Sequence, residues 1–139
     1  IIPTVMAQVI NGNKNINLGN ITPTRDLTYV KDTCDGFHEI YKSSSLFGEV
    51  INIGMKDEIS IKNLVHLIGD IMNKEVFITS DKQRTRPKDS EVERLLCNNK
   101  KLLDHTDWTP KYDINRGLSE TLEWFKNNFE LYKAELYNV

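Results

Sequence analysis

No apolar run in this chain of 139 residues approaches the roughly 20 that a membrane-spanning helix needs, so the sequence offers no spanning segment. Cysteine is scarce. Cys34 and Cys97 give no disulfide framework, and neither sits in a motif that marks a nucleophile. The three histidines, His38, His66 and His105, have no cysteine or carboxylate at metal-ligand spacing. His66 falls among apolar residues at helical spacing, where a packed or half-exposed histidine is a commoner outcome than a functional one. Seven glycines are present, yet none builds a G-x-G-x-x-G or G-x-x-x-x-G-K phosphate loop. The formal net charge of −2 leaves no positive excess for nucleic acid. No Met and no basic, apolar leader opens the chain, and "IIPTVMAQVINGNK" reads as the middle of something. A piece of a longer chain is therefore expected.

What is present suits a single domain with its own core, since 39% of residues are apolar, with five Phe, five Tyr and two Trp. Pro3 fits the first turn of a helix carrying Val5, Met6, Val9 and Ile10, and "NGN" at 11–13 ends it. Ile16 and Leu18 suggest a short strand, and Leu27–Val30 a second. Asp32 is placed to cap a helix whose apolar face carries Cys34, Phe37 and Tyr41. That places Cys34 in the core as a reduced thiol, as expected of a cytoplasmic protein. "EVINIG" (49–54) and "EVFIT" (75–79) read as strands. Ser60 heads the clearest helix, with Ile61, Leu64, Val65, Ile68 and Met72 on one face. A short helix is expected over Asn98–His105, and "DWTPKY" as a turn. Asp113 caps a last helix striped with Ile114, Leu118, Leu122, Phe125, Phe129, Tyr132 and Leu136. Mixed helices and short strands make the class α/β or α+β.

Two arginine segments stand out. Arg25 lies just before the expected strand at Leu27. Arg84, Arg86 and Arg94 lie in "RTRPKDSEVER". Pro87 restricts its own φ and the backbone of Arg86 before it. A planar guanidinium held by a stiff backbone suits bidentate binding of phosphate. The plainer reading is a solvated loop whose cations pair with Asp81, Asp89, Glu91 and Glu93, which contributes little stability. Local sequence leaves both open.

Five stretches, taken together and in order, resemble the C-terminal part of an extended short-chain dehydrogenase/reductase of the NAD-dependent epimerase/dehydratase family. They are "IIPTVMAQVINGN", "TRDLTYVKDTCDGF", "GEVINIG" leading into "EISIKNLVHLIGDIM", "RTRPKDSEVERLL" and "DWTPKYDINRGLSETLEWF". They cover nearly all of 1–129. The form "RPKDSEVERLL" is most similar to sugar-nucleotide 4,6-dehydratases of the legionaminic-acid-pathway type. "HTDWTP" departs from the family, which usually has Leu-Gly before the Trp.

The resemblance implies an α/β fold forming the substrate-binding portion of a Rossmann-type enzyme, with residues 1–139 lacking the cofactor-binding half. It implies that Arg25 and Arg86 contact the diphosphate of a nucleotide sugar from opposite sides. Asp26 is expected to hold Arg25 or a nearby backbone N–H. NAD or NADP serves the complete enzymes of the family. None is expected on this chain, because the glycine fingerprint and the catalytic Tyr-x-x-x-Lys are absent. Tyr29, Tyr41, Tyr112 and Tyr132 are followed four positions later by Thr33, Ser45, Arg116 and Leu136, and Tyr137 by nothing. In a family 4,6-dehydratase, C4 of the hexose is oxidised by hydride transfer, water is eliminated across C5 and C6, and the hydride returns to C6. A 4-epimerase of the same superfamily and a non-catalytic binding module are the alternatives. The helix from Asp32 and the strand at Val50 would pack on the missing half, so Phe37, Tyr41, Val50, Ile51 and Ile53 should lose cover. Self-association is therefore expected.

Overall fold

A computed structural model describes residues 1–81, Arg84 and residues 90–132. Helix α1 (Ile2–Ile10) starts with Pro3 in its first turn and ends at Asn11, before Gly12 at φ 86°. Strand β1 (Asn15–Leu18) turns Ile16 and Leu18 inward and Asn15 and Asn17 outward. The buried Gln8 joins the two elements: its Oε1 accepts from Asn17 N at 2.9 Å. Strand β2 is Thr24–Arg25, and helix α2 is Val30–Lys42, followed by a 3₁₀ turn at Ser44–Leu46. Strand β3 (Ile59–Ser60) runs directly into helix α3 (Ile61–Ile71), where Ser60 Oγ accepts from Asn63 N at 3.1 Å as expected of a cap. Strand β4 is Phe77–Ser80, β5 is Arg94–Leu95 and helix α4 is Lys100–His105. Helix α5 (Ile114–Asn127) is capped by Asp113, and Phe129–Leu131 adds a 3₁₀ turn.

Two small sheets organise these elements. In one, β1 and β4 pair in parallel, from Asn15 opposite Phe77 to Leu18 opposite Ser80. In the other the order is β3-β2-β5, with β2 antiparallel to β3 and parallel to β5. The core lies between α1, α3, α5 and the β1–β4 pair. Met6, Ile16, Leu64, Val65, Ile68, Leu118, Leu122 and Phe125 are buried there. Burying each such side chain contributes about 1.5–3 kcal/mol. The expected stripe on α5 thus faces the core through Leu118, Leu122 and Phe125, with Ile114, Phe129 and Tyr132 at its margin. Leu136 lies outside the described residues. No helix among the described residues is long and apolar enough to cross a membrane. The mixed α/β class stands.

Four local expectations are corrected. The strand expected over Leu27–Val30 sits earlier, at Thr24–Arg25. Residues 27–29 are followed at once by α2, and although Tyr29 is extended (φ −68°, ψ 143°), neither β3 nor β5 reaches far enough to pair with them. Asp32 does not cap α2. It is fully buried inside the first turn, and its carboxylate accepts from Lys111 N at 2.9 Å and Tyr112 N at 3.0 Å. Residues 50–54 are irregular, because no strand among the described residues pairs with them. Cys34 is exposed.

The face of α2 that carries Cys34 points to solvent, with Phe37 66% and Tyr41 82% exposed, and Val50 beyond it 84% exposed. Ile53 is better covered. It packs against Gly36, where a Cβ would meet its side chain at 3.0 Å.

Candidate anion site around Arg25

Arg25 is part of the central strand of the three-stranded sheet, opposite Ile59 on one side and Leu95 on the other. Backbone pairing on both edges fixes its Cα, and three hydrogen bonds fix its guanidinium. Nη1 donates to Thr24 O and to Val92 O, each at 2.7 Å. Nη2 donates to Glu91 Oε1 at 3.2 Å. The two side chains of this ion pair are 20% and 12% exposed. The arginine is therefore aimed, as the sequence suggested, but it is aimed from within a strand and is already paired with a carboxylate.

A cavity of about 240 Å³ opens beside it. Leu27, Met55, Ile59 and Ile114 form its apolar walls, and Asp57, Glu58 and Asp113 also line it. Glu58 receives a fork from Arg94, with Nε to Oε1 at 2.8 Å and Nη2 to Oε1 at 2.5 Å, and a bond from Thr24 Oγ1 at 2.5 Å. The Arg94 fork, then the Thr24 hydroxyl, hold the Glu58 carboxyl down to about 2 from its ordinary 4.5. The same pairing raises Arg94. Asp57 Oδ1 accepts from Glu58 N at 2.9 Å, and Asp113 Oδ1 accepts from Arg116 N at 2.8 Å.

Asp26 holds the sheet to its surroundings. Its carboxylate accepts from Met55 N and Lys56 N at 2.9 Å and from Cys97 N at 3.1 Å. Of the two roles foreseen for it, the backbone one is realised. Cys97 itself is pushed up by burial and then by the Asp26 charge, which is the opposite of an activated thiol. The buried Asn99 secures the same junction by donating Nδ2 to Gly54 O at 2.8 Å.

Arg86 lies outside the described residues, so of the two arginines singled out in the sequence the structure places Arg25. The pairing expected of a solvated loop is partly present: Arg84 Nε lies 3.0 Å from Asp81 Oδ2. Glu91, however, goes to Arg25 and Arg94 goes to Glu58, neither within the loop itself. The sequence pairs Glu91 with a cation of its own loop and gives no sign that Glu58 belongs to this site. The only hint was the density of charge in "SEVER", which does not say which cation each carboxylate meets.

Residues 1–121 match the family model described as GDP-mannose 4,6 dehydratase. The chain belongs to this family. It is thereby one of the extended short-chain dehydrogenase/reductases that include NAD-dependent epimerases and dehydratases. GDP-L-fucose synthase from Sinorhizobium fredii is 36% identical over 117 residues, covering 79% of this chain and 33% of that protein. UDP-glucuronate 4-epimerase from Thermodesulfobacterium geofontis is 30% identical over 123 residues, covering 84% and 34%. The crystal structure of dTDP-glucose 4,6-dehydratase from Bacillus anthracis in complex with NAD superposes with a TM-score of 0.78 at 27% identity, over 94% of this chain and 40% of that one. The chain thus spans about a third of the length of the curated relatives it matches.

The sequence carries no glycine fingerprint of the dinucleotide-binding kind. Gly19 follows β1 alone, without the glycines that let a backbone approach a pyrophosphate. A tyrosine and a lysine do meet elsewhere: Lys31 Nζ is 5.7 Å from the Tyr29 ring centroid. Burial nevertheless raises Tyr29, Lys31 opposes this, and Glu120 raises it again. A tyrosine that takes a proton near neutral pH needs the reverse shift. Among the described residues no cluster of three or more metal-ligating side chains occurs.

Proposed function

We propose that this chain is the nucleotide-sugar-binding portion of an NAD(P)-dependent sugar-nucleotide 4,6-dehydratase, converting a UDP- or GDP-hexose to its 4-keto-6-deoxy form. The observation that carries the reading is Arg25, held on a central strand with its guanidinium beside a cavity, in a chain that belongs to a nucleotide-sugar family. Arg25 supplies charge and planar geometry to one side of a diphosphate, and Arg86 supplies the same from the other. Their work is positioning. The hydride chemistry requires a cofactor site, and we place that site in a further part of the protein. A 4-epimerase acting on the same ligand class is the second reading, favoured by the similarity to UDP-glucuronate 4-epimerase.

The exposed α2 face supports self-association of the isolated chain, because Phe37, Tyr41 and Val50 are apolar and uncovered. The gene sequence on the 5′ side of the Ile1 codon tests the enzymatic reading. A glycine fingerprint and a Tyr-x-x-x-Lys pair are expected there. A reading frame that begins at or near Ile1 would point instead to a non-catalytic binding module.

A further inference from the structure

Three carboxylates line the cavity beside Arg25 and have partners that a bound anion would leave in place, and a fourth, Glu91, pairs with Arg25 itself. Glu58 is forked by Arg94, Asp57 accepts from the backbone of Glu58, and Asp113 caps α5. Glu91 differs. Among the described residues its bond is to Arg25 Nη2, the group an incoming phosphate needs. Nη1 is held separately by the Thr24 and Val92 carbonyls, so the guanidinium keeps its orientation when Nη2 changes partner.

Resting on the nucleotide-binding reading above, we propose that Glu91 is a displaceable counterion that occupies Arg25 in the free protein and sets its affinity for a diphosphate. A diphosphate oxygen takes over the Nη2–H···O bond and the Glu91 carboxylate swings to solvent. No covalent bond changes. The carboxylate weakens binding twice, because its bond must be given up and its charge opposes the ligand. In return, the partly buried guanidinium is never left unpaired. Glu91 is thus a specificity-determining group: a weak monoanion cannot compete with it, whereas a multiply charged diphosphate can.

The test compares the chain with Glu91→Gln and Glu91→Asp by calorimetric titration of uridine diphosphate and of inorganic pyrophosphate. Gln keeps the shape and an acceptor oxygen without the charge. Glu91→Gln is expected to bind both probes about three- to tenfold tighter, as expected when one opposing charge is removed at a partly buried pair. Glu91→Asp, which keeps the charge, is expected to stay near the parent. Tighter binding is a change that the loss of a merely structural brace would not produce, and thermal unfolding of each variant reports the fold separately. Parent-like or weaker binding by a folded Glu91→Gln, with the parent still binding, overturns the proposal and leaves the nucleotide-binding reading intact. An absence of binding by the parent and both variants at millimolar probe overturns that reading and this proposal with it.

Discussion

The carboxylate of Asp26 accepts a hydrogen bond from the backbone N–H of Cys97, 71 residues away in sequence, at 3.1 Å. The same carboxylate binds the N–H groups of Met55 and Lys56. One side chain thus fastens two remote segments, at 55–56 and at 97, beside the arginine next to it. Gly54 lies within this junction, and a Cβ there would stand 2.3 Å from Cys97 Cβ and 2.7 Å from Cys97 Sγ.

Because Asp26 ties the backbone of Cys97 down, that contact cannot relax by a small shift. Gly54→Ala is expected to cost about 1–3 kcal/mol of stability through overpacking. Urea unfolding followed by circular dichroism checks this, and an unchanged midpoint would show that the junction is looser than its distances imply.

Asp32 offers a second stability test. Its buried carboxylate is shared by the N–H groups of Lys111 and Tyr112, and its carbonyl accepts from Trp108 Nε1 at 2.9 Å. Asp32→Ala strands both N–H groups, each worth about 1–3 kcal/mol when left unsatisfied. A total loss of about 2–4 kcal/mol is expected in the same unfolding experiment. A loss under about 0.5 kcal/mol would fit an ordinary surface position and contradict the buried role.

The Glu58–Arg94 fork carries a pH signature. The folded carboxyl is depressed to about 2 from 4.5. A depressed acid contributes stability fully above its unfolded pKa and loses it as pH falls through the folded one. The difference in unfolding temperature between the parent and Glu58→Gln should therefore be greatest above pH 4.5 and shrink steadily from there towards pH 2. A difference that holds constant from pH 7 to pH 3 would contradict the fork.

The legible parts of this fold were those specified within a few residues. The period of α3 and α5 and their caps, Ser60 and Asp113, are local signals, and all were read correctly. The two-residue strands β2, β3 and β5 were not, because each exists only by pairing with a segment remote in the chain. Asp32 shows the same limit. An aspartate ahead of an apolar helical face suits a cap, yet here the first helical turn already includes it, and its acceptors serve residues 111 and 112. Arg25 was singled out from the pattern around it. Its counterion was not, since Glu91 is 66 residues away and looks like any other charge in its segment.

The uncovered α2 face predicts concentration-dependent association. Size exclusion with light scattering should show species larger than a monomer, and Phe37→Glu should shift them towards the monomer. A monodisperse parent at high concentration would contradict the expectation that Phe37 and Tyr41, 66% and 82% exposed, need a cover.

The central claim is that Arg25 binds a nucleoside diphosphate, and an NMR titration of the chain with UDP, GDP and a UDP-sugar tests it most directly. Shifts at residues 24–26 and 91–95 are predicted at millimolar ligand. They should weaken as salt is raised and vanish in Arg25→Ala with the fold retained. An absence of shifts in those segments at millimolar ligand, or shifts of equal size in Arg25→Ala, would contradict the account.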